Sequence, residues 1–135
     1  MNDCRCFWTV LVVSGLLTSS CAGAPKASIS EYLETTAAEF EQTRGSDEAY
    51  YLMEFAVKQA ISQPIRINVK FENPEDSAVP VELMTQLRPG QDLLSIRSPT
   101  MSGFKSGRKY SVSLRGYVAG DSDPVLTHKQ KIEFQ

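Results

Sequence analysis

The chain contains a single histidine, His128, which is the first residue to consider for catalysis or metal binding. It lies in a stretch of alternating polarity, in the same phase as Leu126 and Ile132, so it faces the same side of a predicted strand as these apolar residues. A structural zinc site needs about four nitrogen, sulfur or oxygen ligands, which one histidine without neighbouring thiols does not supply. We therefore predict that His128 is a structural residue, either on an edge strand near a bulge or half-buried and hydrogen-bonded.

The paired carboxylates occupy positions that are typical of turns. Asp121 and Asp123 lie between a glycine and a proline, and Glu75 and Asp76 follow an Asn-Pro pair. Calcium takes about six to eight oxygen ligands, more than two turn carboxylates provide. No G-x-S-x-G nucleophile motif and no phosphate-binding glycine loop occur in the sequence. These patterns predict a protein without catalytic residues, bound metal or cofactor.

The amino-terminal Phe7–Leu17 segment is an almost wholly apolar run of eleven residues. A membrane-spanning helix needs about 20 apolar residues, whereas a run of this length suits the core of a secretory signal peptide. Two cleavage positions compete, one after Ala24 at the end of a small-residue triplet and one before Cys21. The first would place Pro25 at the mature terminus, where its fixed φ and missing N–H disfavour recognition of an extended chain by a peptidase.

The residues before the second cleavage position resemble the lipobox of bacterial lipoproteins. Small residues, Ser19 and Ser20, precede the obligatory Cys21, although Thr18 stands where leucine is commoner. The resemblance implies acylation of Cys21, with palmitate among its chains, and the residue that follows, Ala22, implies sorting to the periplasmic side of the outer membrane. Cleavage after Ala24 stays open as the alternative.

The lipobox resemblance divides the start of the chain into a signal peptide, 1–20, and a lipidated tether, 21–27. Removal of 20 of the 135 residues leaves 115, enough for one domain with a modest core. Cys4 and Cys6 leave with the signal under either cleavage, so we expect no disulfide.

The net charge of −2 argues against nucleic acid as a partner. Charge is uneven, since residues 22–64 carry three basic and seven acidic side chains, whereas residues 65–135 carry ten and eight.

The segment 28–63 has the pattern of a helical hairpin. Ser28 and Glu31 form a capping box, and Leu33 and Phe40 then follow at helical spacing. Gly45 is a typical residue after a helix end. A second apolar stripe over 51–60 predicts a partner helix, so we expect an αα-hairpin over 28–63.

After residue 64 the period of the apolar residues changes from 3.6 to 2. Ile65, Ile67, Val69 and Phe71 alternate with polar residues, and four further short alternating segments follow between turn signals. This predicts an α+β fold in which the hairpin precedes a small antiparallel β-sandwich over 65–135. The alternative is a single antiparallel sheet whose apolar face is covered by the two helices.

One loop within this region resembles the approach to strand F in immunoglobulin and fibronectin type III domains. Phe104, Gly107 and Tyr110 stand at the places of the apolar residue, the turn glycine and the tyrosine, with Ser106 where proline is usual. The resemblance implies an Ig/FN3-like domain over 65–135. It also implies a tyrosine corner, in which the Tyr110 hydroxyl bonds to the backbone a few residues upstream.

Two surfaces are candidates for binding a partner. Lys109 and Arg115 on one predicted strand, and Lys129 and Lys131 on the next, point outward and form a basic patch if the strands pair. Such a patch suits an anionic partner such as peptidoglycan, lipid phosphate or an acidic protein. The second candidate is any part of the helical stripe around Tyr51 and Phe55 that stays uncovered; otherwise this stripe is core.

The sequence thus predicts an outer-membrane lipoprotein on the periplasmic side. Its expected role is a non-catalytic interaction or assembly module of the cell envelope, with a protein partner and without a small-molecule substrate. A periplasmic immunity or inhibitor lipoprotein that neutralises a toxin or hydrolase is the alternative, and an unrecognised hydrolase is a third possibility.

Overall fold

The computed structural model describes residues 27–135, so the predicted signal peptide 1–20 and the lipidation site Cys21 lie outside this range. Within the range, no helix is long and apolar enough to cross a membrane. The described elements are β1 Ala27–Ser28, α1 Ile29–Tyr32, β2 Leu33–Gln42, β3 Ala49–Val57, β4 Ile65–Phe71, β5 Val81–Leu87, β6 Leu93–Arg97, β7 Lys109–Val118 and β8 Leu126–Glu133.

The strands form two sheets that pack face to face. One sheet has the strand order β1-β8-β7-β4-β5, and the other has the order β2-β3-β6. All neighbouring strands are antiparallel except β1 and β8, which are parallel. Buried side chains from both sheets form one hydrophobic cluster. The prediction of a β-sandwich is therefore confirmed, and its core lies between the two sheets. The predicted α+β class is wrong, because the described elements are strands apart from α1.

The predicted helical hairpin over 28–63 is wrong, because this segment forms β2 and β3 with only the four-residue turn α1 before them. The error has a structural cause in β2. Thr35 pairs with Phe55 and Ala37 with Glu54, so one extra residue bulges out of the strand. Because of this bulge, Leu33 and Phe40 face the same side although they are seven residues apart. Two turns of helix produce the same spacing.

The alternative of a single sheet covered by two helices is wrong for a related reason, since the second layer is itself a sheet. Strand β3 supplies its centre, with every second residue buried between the layers: Ala49, Tyr51, Met53 and Phe55. Aromatic side chains fit a pleated, half-buried surface well. The residues between them are also largely apolar, so the alternation is visible in burial but weak in polarity.

The five strands predicted over 65–135 are present as β4–β8, but they do not all pair with one another. Strand β6 pairs with β3 in the second sheet. Together β2, β3 and β6 cover the apolar side of β4, β5, β7 and β8. The segment expected to form helices therefore supplies two of the three strands that close the core.

Aromatic rings fill one end of the core around Phe40. Its ring centroid lies 4.5 Å from that of Tyr51 and 5.0 Å from that of Phe104. Phe134 and Tyr110 follow at 5.2 Å and 5.9 Å. Tilted and edge-to-face arrangements at these separations are favourable for aromatic pairs. This cluster joins β2, an outer strand of its sheet, to both layers.

The hydrogen bond expected at a tyrosine corner is present. The Tyr110 hydroxyl accepts a hydrogen bond of 2.8 Å from the backbone N–H of Lys105, five residues upstream. Gly107 makes the turn possible with a φ of 78°, which L-residues with a side chain rarely adopt. Its N–H donates to the Phe134 carbonyl at 2.7 Å and ties the loop to the end of the chain.

Candidate functional site

His128 lies on β8 with its side chain half-buried toward the space between the sheets. Its Nε2 is 2.9 Å from Oε1 of Gln130, and its ring meets Phe55 edge to face at 6.1 Å. Across residues 27–135, no group of three histidine, cysteine or carboxylate side chains is arranged to hold a metal ion. The residue has the packing and the hydrogen bond of a structural histidine.

The paired carboxylates belong to turns. Asp76 accepts a 3.0 Å hydrogen bond from the Ala78 N–H through its side chain, and the Glu75 carboxylate accepts one of 2.8 Å from the Ser102 hydroxyl. Asp121 and Asp123 are exposed in the loop between β7 and β8. These contacts and positions order the loops and do not converge on a common point.

Tyr51 and Phe55 are fully buried, so they belong to the core and not to a docking surface. The Tyr51 hydroxyl donates a 2.9 Å hydrogen bond to the Glu72 carbonyl. Burial raises the pKa of this hydroxyl far above its usual range, and the nearby Glu72 carboxylate adds to the effect. Because Tyr51 and Phe55 are excluded as surface residues, the basic patch is the predicted binding surface that is left to consider.

All four predicted cations of that patch are exposed on the outward side of the five-stranded sheet. Strands β7 and β8 pair so that Lys129 lies opposite Ser113 and Lys131 opposite Ser111. Arg115 lies one pair further along, and Lys109 at the strand end faces Glu133. The pairing therefore brings the four residues to one face, where Lys109 has a carboxylate directly across the strands.

This face extends further than the sequence predicted. Strand β4 pairs with β7 and adds Arg66, opposite Tyr117, and Lys70, opposite Ser113. We call the outward side of β4, β5, β7 and β8 the basic face. Its cations are Arg66, Lys70, Lys109, Arg115, Lys129 and Lys131, and its carboxylates are Glu82 and Glu133. Six positive and two negative side chains give it a net charge of +4.

The outward side of the three-stranded sheet has the opposite sign, and we call it the acidic face. Its carboxylates are Glu34, Glu39, Glu41 and Glu54, and its single cation is Arg97, which gives a net charge of −3. The Arg97 guanidinium lies 3.9 Å from the centre of the Tyr50 ring, and the Tyr50 hydroxyl donates to Glu41. The uneven charge of the sequence thus becomes a charge difference between two faces.

The basic face contains a groove of about 580 Å³. It exists because two short side chains, Asn68 and Ser113, lie among the long side chains of Lys70, Arg115 and Tyr117. Oδ1 of Asn68 is buried and has no hydrogen-bond partner among the described residues. Short polar residues at the centre of a strand pair give no signal in the sequence alone, because their surroundings depend on which strands pair.

No protein-family model matches this chain, and no curated protein matches it. Among solved structures, it is similar to a segment of β-glucuronidase 2 from Bacteroides uniformis, with 11% identity and a TM-score of 0.48. It is also similar to a segment of an exo-chitosanase from Amycolatopsis orientalis, with 16% identity and a TM-score of 0.43. Each match covers 76% of this chain but only 13% of the larger enzyme. At these values the similarity assigns neither a family nor an activity to this chain.

Proposed function

We propose that this chain is a lipid-anchored, non-catalytic binding module of a bacterial cell envelope. Acylated Cys21 holds it at the periplasmic side of the outer membrane, and the basic face contacts an anionic partner there. The observation that carries the proposal is the separation of charge, +4 on the basic face and −3 on the acidic face, in a chain with a net charge of only −2.

Stability gives little reason to gather cations on one face. Like charges on adjacent strands repel, and the Lys70–Glu82 ion pair, at 2.9 Å between two exposed side chains, is of a kind that contributes about 0–1 kcal/mol. A concentrated positive surface does accelerate and orient association with an anionic partner. This balance supports a binding role for the basic face.

We expect Cys21→Ser to abolish palmitate labelling and to release the protein from the membrane fraction. Serine has no thiol to acylate, and each acyl CH₂ removed from the bilayer costs about 0.8 kcal/mol of anchoring. Metabolic labelling and membrane fractionation measure both effects. Cys6→Ser is the matched control, because it lies in the predicted signal and should leave labelling intact. Equal labelling of wild type and Cys21→Ser, or none in either, would refute the anchor.

We further expect the double variant Lys129→Glu/Lys131→Glu to lose a partner that wild type retains after crosslinking in intact cells. Reversal of two charges lowers the net charge of the basic face from +4 to 0, which removes the electrostatic attraction. Glu34→Lys/Glu39→Lys changes the acidic face by the same amount and should retain the partner. Capture that is equal in wild type and both variants would rule out the basic face as the contact surface.

The acidic face favours one second candidate, an immunity or inhibitor lipoprotein that binds a basic toxin or hydrolase. Leu93 is 50% exposed at the edge of this face and offers an apolar contact beside the carboxylates. In this case Glu34→Lys/Glu39→Lys loses the captured protein, whereas Lys129→Glu/Lys131→Glu retains it. Deletion of the gene would then make cells sensitive to their siblings.

A further inference from the structure

We propose that the groove at Asn68 binds a sugar that carries a carboxylate. The inference rests on the proposed function and deepens it, because it names the chemistry that the basic face recognises. It depends on three features of the groove: a cation without an anionic partner, an acceptor without a donor, and an aromatic wall.

Of the two cations that line the groove, Lys70 and Arg115, Arg115 is the one without a carboxylate partner within residues 27–135. The ion pairs Lys70–Glu82 and Arg108–Glu72 do not involve Arg115, and no carboxylate of the described residues lies within ion-pair distance of its guanidinium. Lys70, on the other side of Asn68, is already paired with Glu82 at 2.9 Å. Guanidinium binds carboxylate through two parallel hydrogen bonds. An incoming carboxylate would therefore go to Arg115.

Asn68 favours a ligand that can also donate a hydrogen bond. Its Oδ1 is buried without a partner among the described residues, and an unsatisfied buried acceptor costs about 1–3 kcal/mol. Asn68 lines the groove, and no hydrogen bond within the described range holds its Oδ1 in place, so a small rotation about the broad terminal torsion would bring the amide to a ligand there. A hydroxyl or an amide N–H of a sugar supplies the donor. A bare carboxylate or a phosphate diester does not.

The size of the groove is sufficient for a small sugar ring. Its volume of about 580 Å³ lies in the usual range of small-molecule sites, about 300–1,000 Å³. Tyr117 lines one wall, and the Arg66 guanidinium lies 5.8 Å from the centre of its ring. An aromatic wall can pack against the C–H groups of a sugar ring. A plane of lipid headgroups would instead contact the outer lysines and leave Asn68 unsatisfied.

The test measures binding of two disaccharides to the full chain in detergent micelles by ligand-detected NMR. The first probe is N-acetylglucosaminyl-N-acetylmuramic acid, which carries a carboxylate, and the second is N,N′-diacetylchitobiose, which lacks it. We expect the acidic probe to bind at least about tenfold more tightly, because only this probe can pair with the guanidinium.

Three variants locate the binding. Arg115→Gln should remove the preference for the acidic probe, whereas Asn68→Leu should weaken both probes about equally, since it removes the amide that contacts the ring. Lys131→Gln removes one charge from the basic face outside the groove and should change either affinity by less than about twofold. Thermal unfolding of each variant verifies that the fold is retained.

Equal binding of the two probes, or no binding of either, would overturn the proposed ligand. An equal loss in Lys131→Gln and Arg115→Gln would also overturn it, because the face would then act as a diffuse charge. The proposed ligand would also be overturned if the protein bound phosphatidylglycerol vesicles and this binding were lost in Lys131→Gln but kept in Asn68→Leu. If one of these results is obtained but Lys129→Glu/Lys131→Glu still fails to capture the crosslinked partner that wild type captures, the proposed ligand is wrong and the proposed binding role of the basic face is still supported.

Discussion

Replacement of Gly116 by valine is expected to lower the free energy of unfolding by about 3 kcal/mol, a large fraction of the roughly 5–15 kcal/mol by which a typical domain is stable. Gly116 lies on the inward side of β7, where it pairs with Leu126 of β8 and with Ile67 of β4. A Cβ atom at this position would lie 2.6 Å from Cγ of Leu126 and 2.8 Å from Cγ2 of Ile65. Both distances are far below van der Waals contact, and both neighbours are buried in the core.

Urea unfolding followed by fluorescence or circular dichroism measures this effect. Ser113→Val is the matched control, because it adds a branched side chain to the same strand on its outward side. We expect Ser113→Val to change stability by less than about 0.5 kcal/mol. If Gly116→Val were as stable as Ser113→Val, β7 would not lie close enough to Leu126 and Ile65 at Gly116 to exclude a side chain.

Phe40→Ala is expected to lower the free energy of unfolding by about 3 kcal/mol. The ring packs against four other aromatic rings, with centroid separations from 4.5 Å to 5.9 Å. Truncation removes these contacts and leaves a cavity, and Phe→Ala changes in cores cost about 3–5 kcal/mol. Phe40 is half-buried, so the lower end of this range applies.

The adjacent Glu39→Ala is the control for this variant. Glu39 points to the acidic face and pairs across the strands with Leu52, so its loss removes no core contact. Chemical unfolding should separate the two variants by at least about 2 kcal/mol. Equal stability of the two would mean that β2 does not hold its aromatic residue in the core, and the assignment of the bulge would then fail with it.

The difference between β2–β3 and the later strands explains which elements could be predicted from the sequence. In β4, apolar residues strictly alternate with Arg66, Asn68 and Lys70, so the period of two is unambiguous. In β3, the outward residues include Tyr50 and Leu52, which hides the alternation. In β2 the bulge shifts the phase halfway along the strand. The apolar residues of 28–63 therefore match helical spacing better than alternation, although the segment forms β2 and β3.

A similar limit applies to the basic face. Strands β7 and β8 are joined by a short loop, so their pairing and the shared face of Arg115 and Lys129 could be predicted from nearby sequence. Arg66 and Lys70 join them only because β4 pairs with β7, more than forty residues later in the chain. The position of Asn68 beside Arg115 depends on the same distant pairing. Local periodicity contains no information about such contacts.

The opposite charges of the two faces also give the molecule an electric dipole along the normal to its sheets. Packed sheets lie about 10 Å apart, which exceeds the Debye length of about 8 Å at physiological ionic strength. Close to a negatively charged surface, attraction of the basic side and the weaker, partly screened repulsion of the acidic side turn the domain in the same sense. The resulting torque would turn the domain before contact, so that the rotational search for a productive encounter becomes shorter as the ionic strength falls.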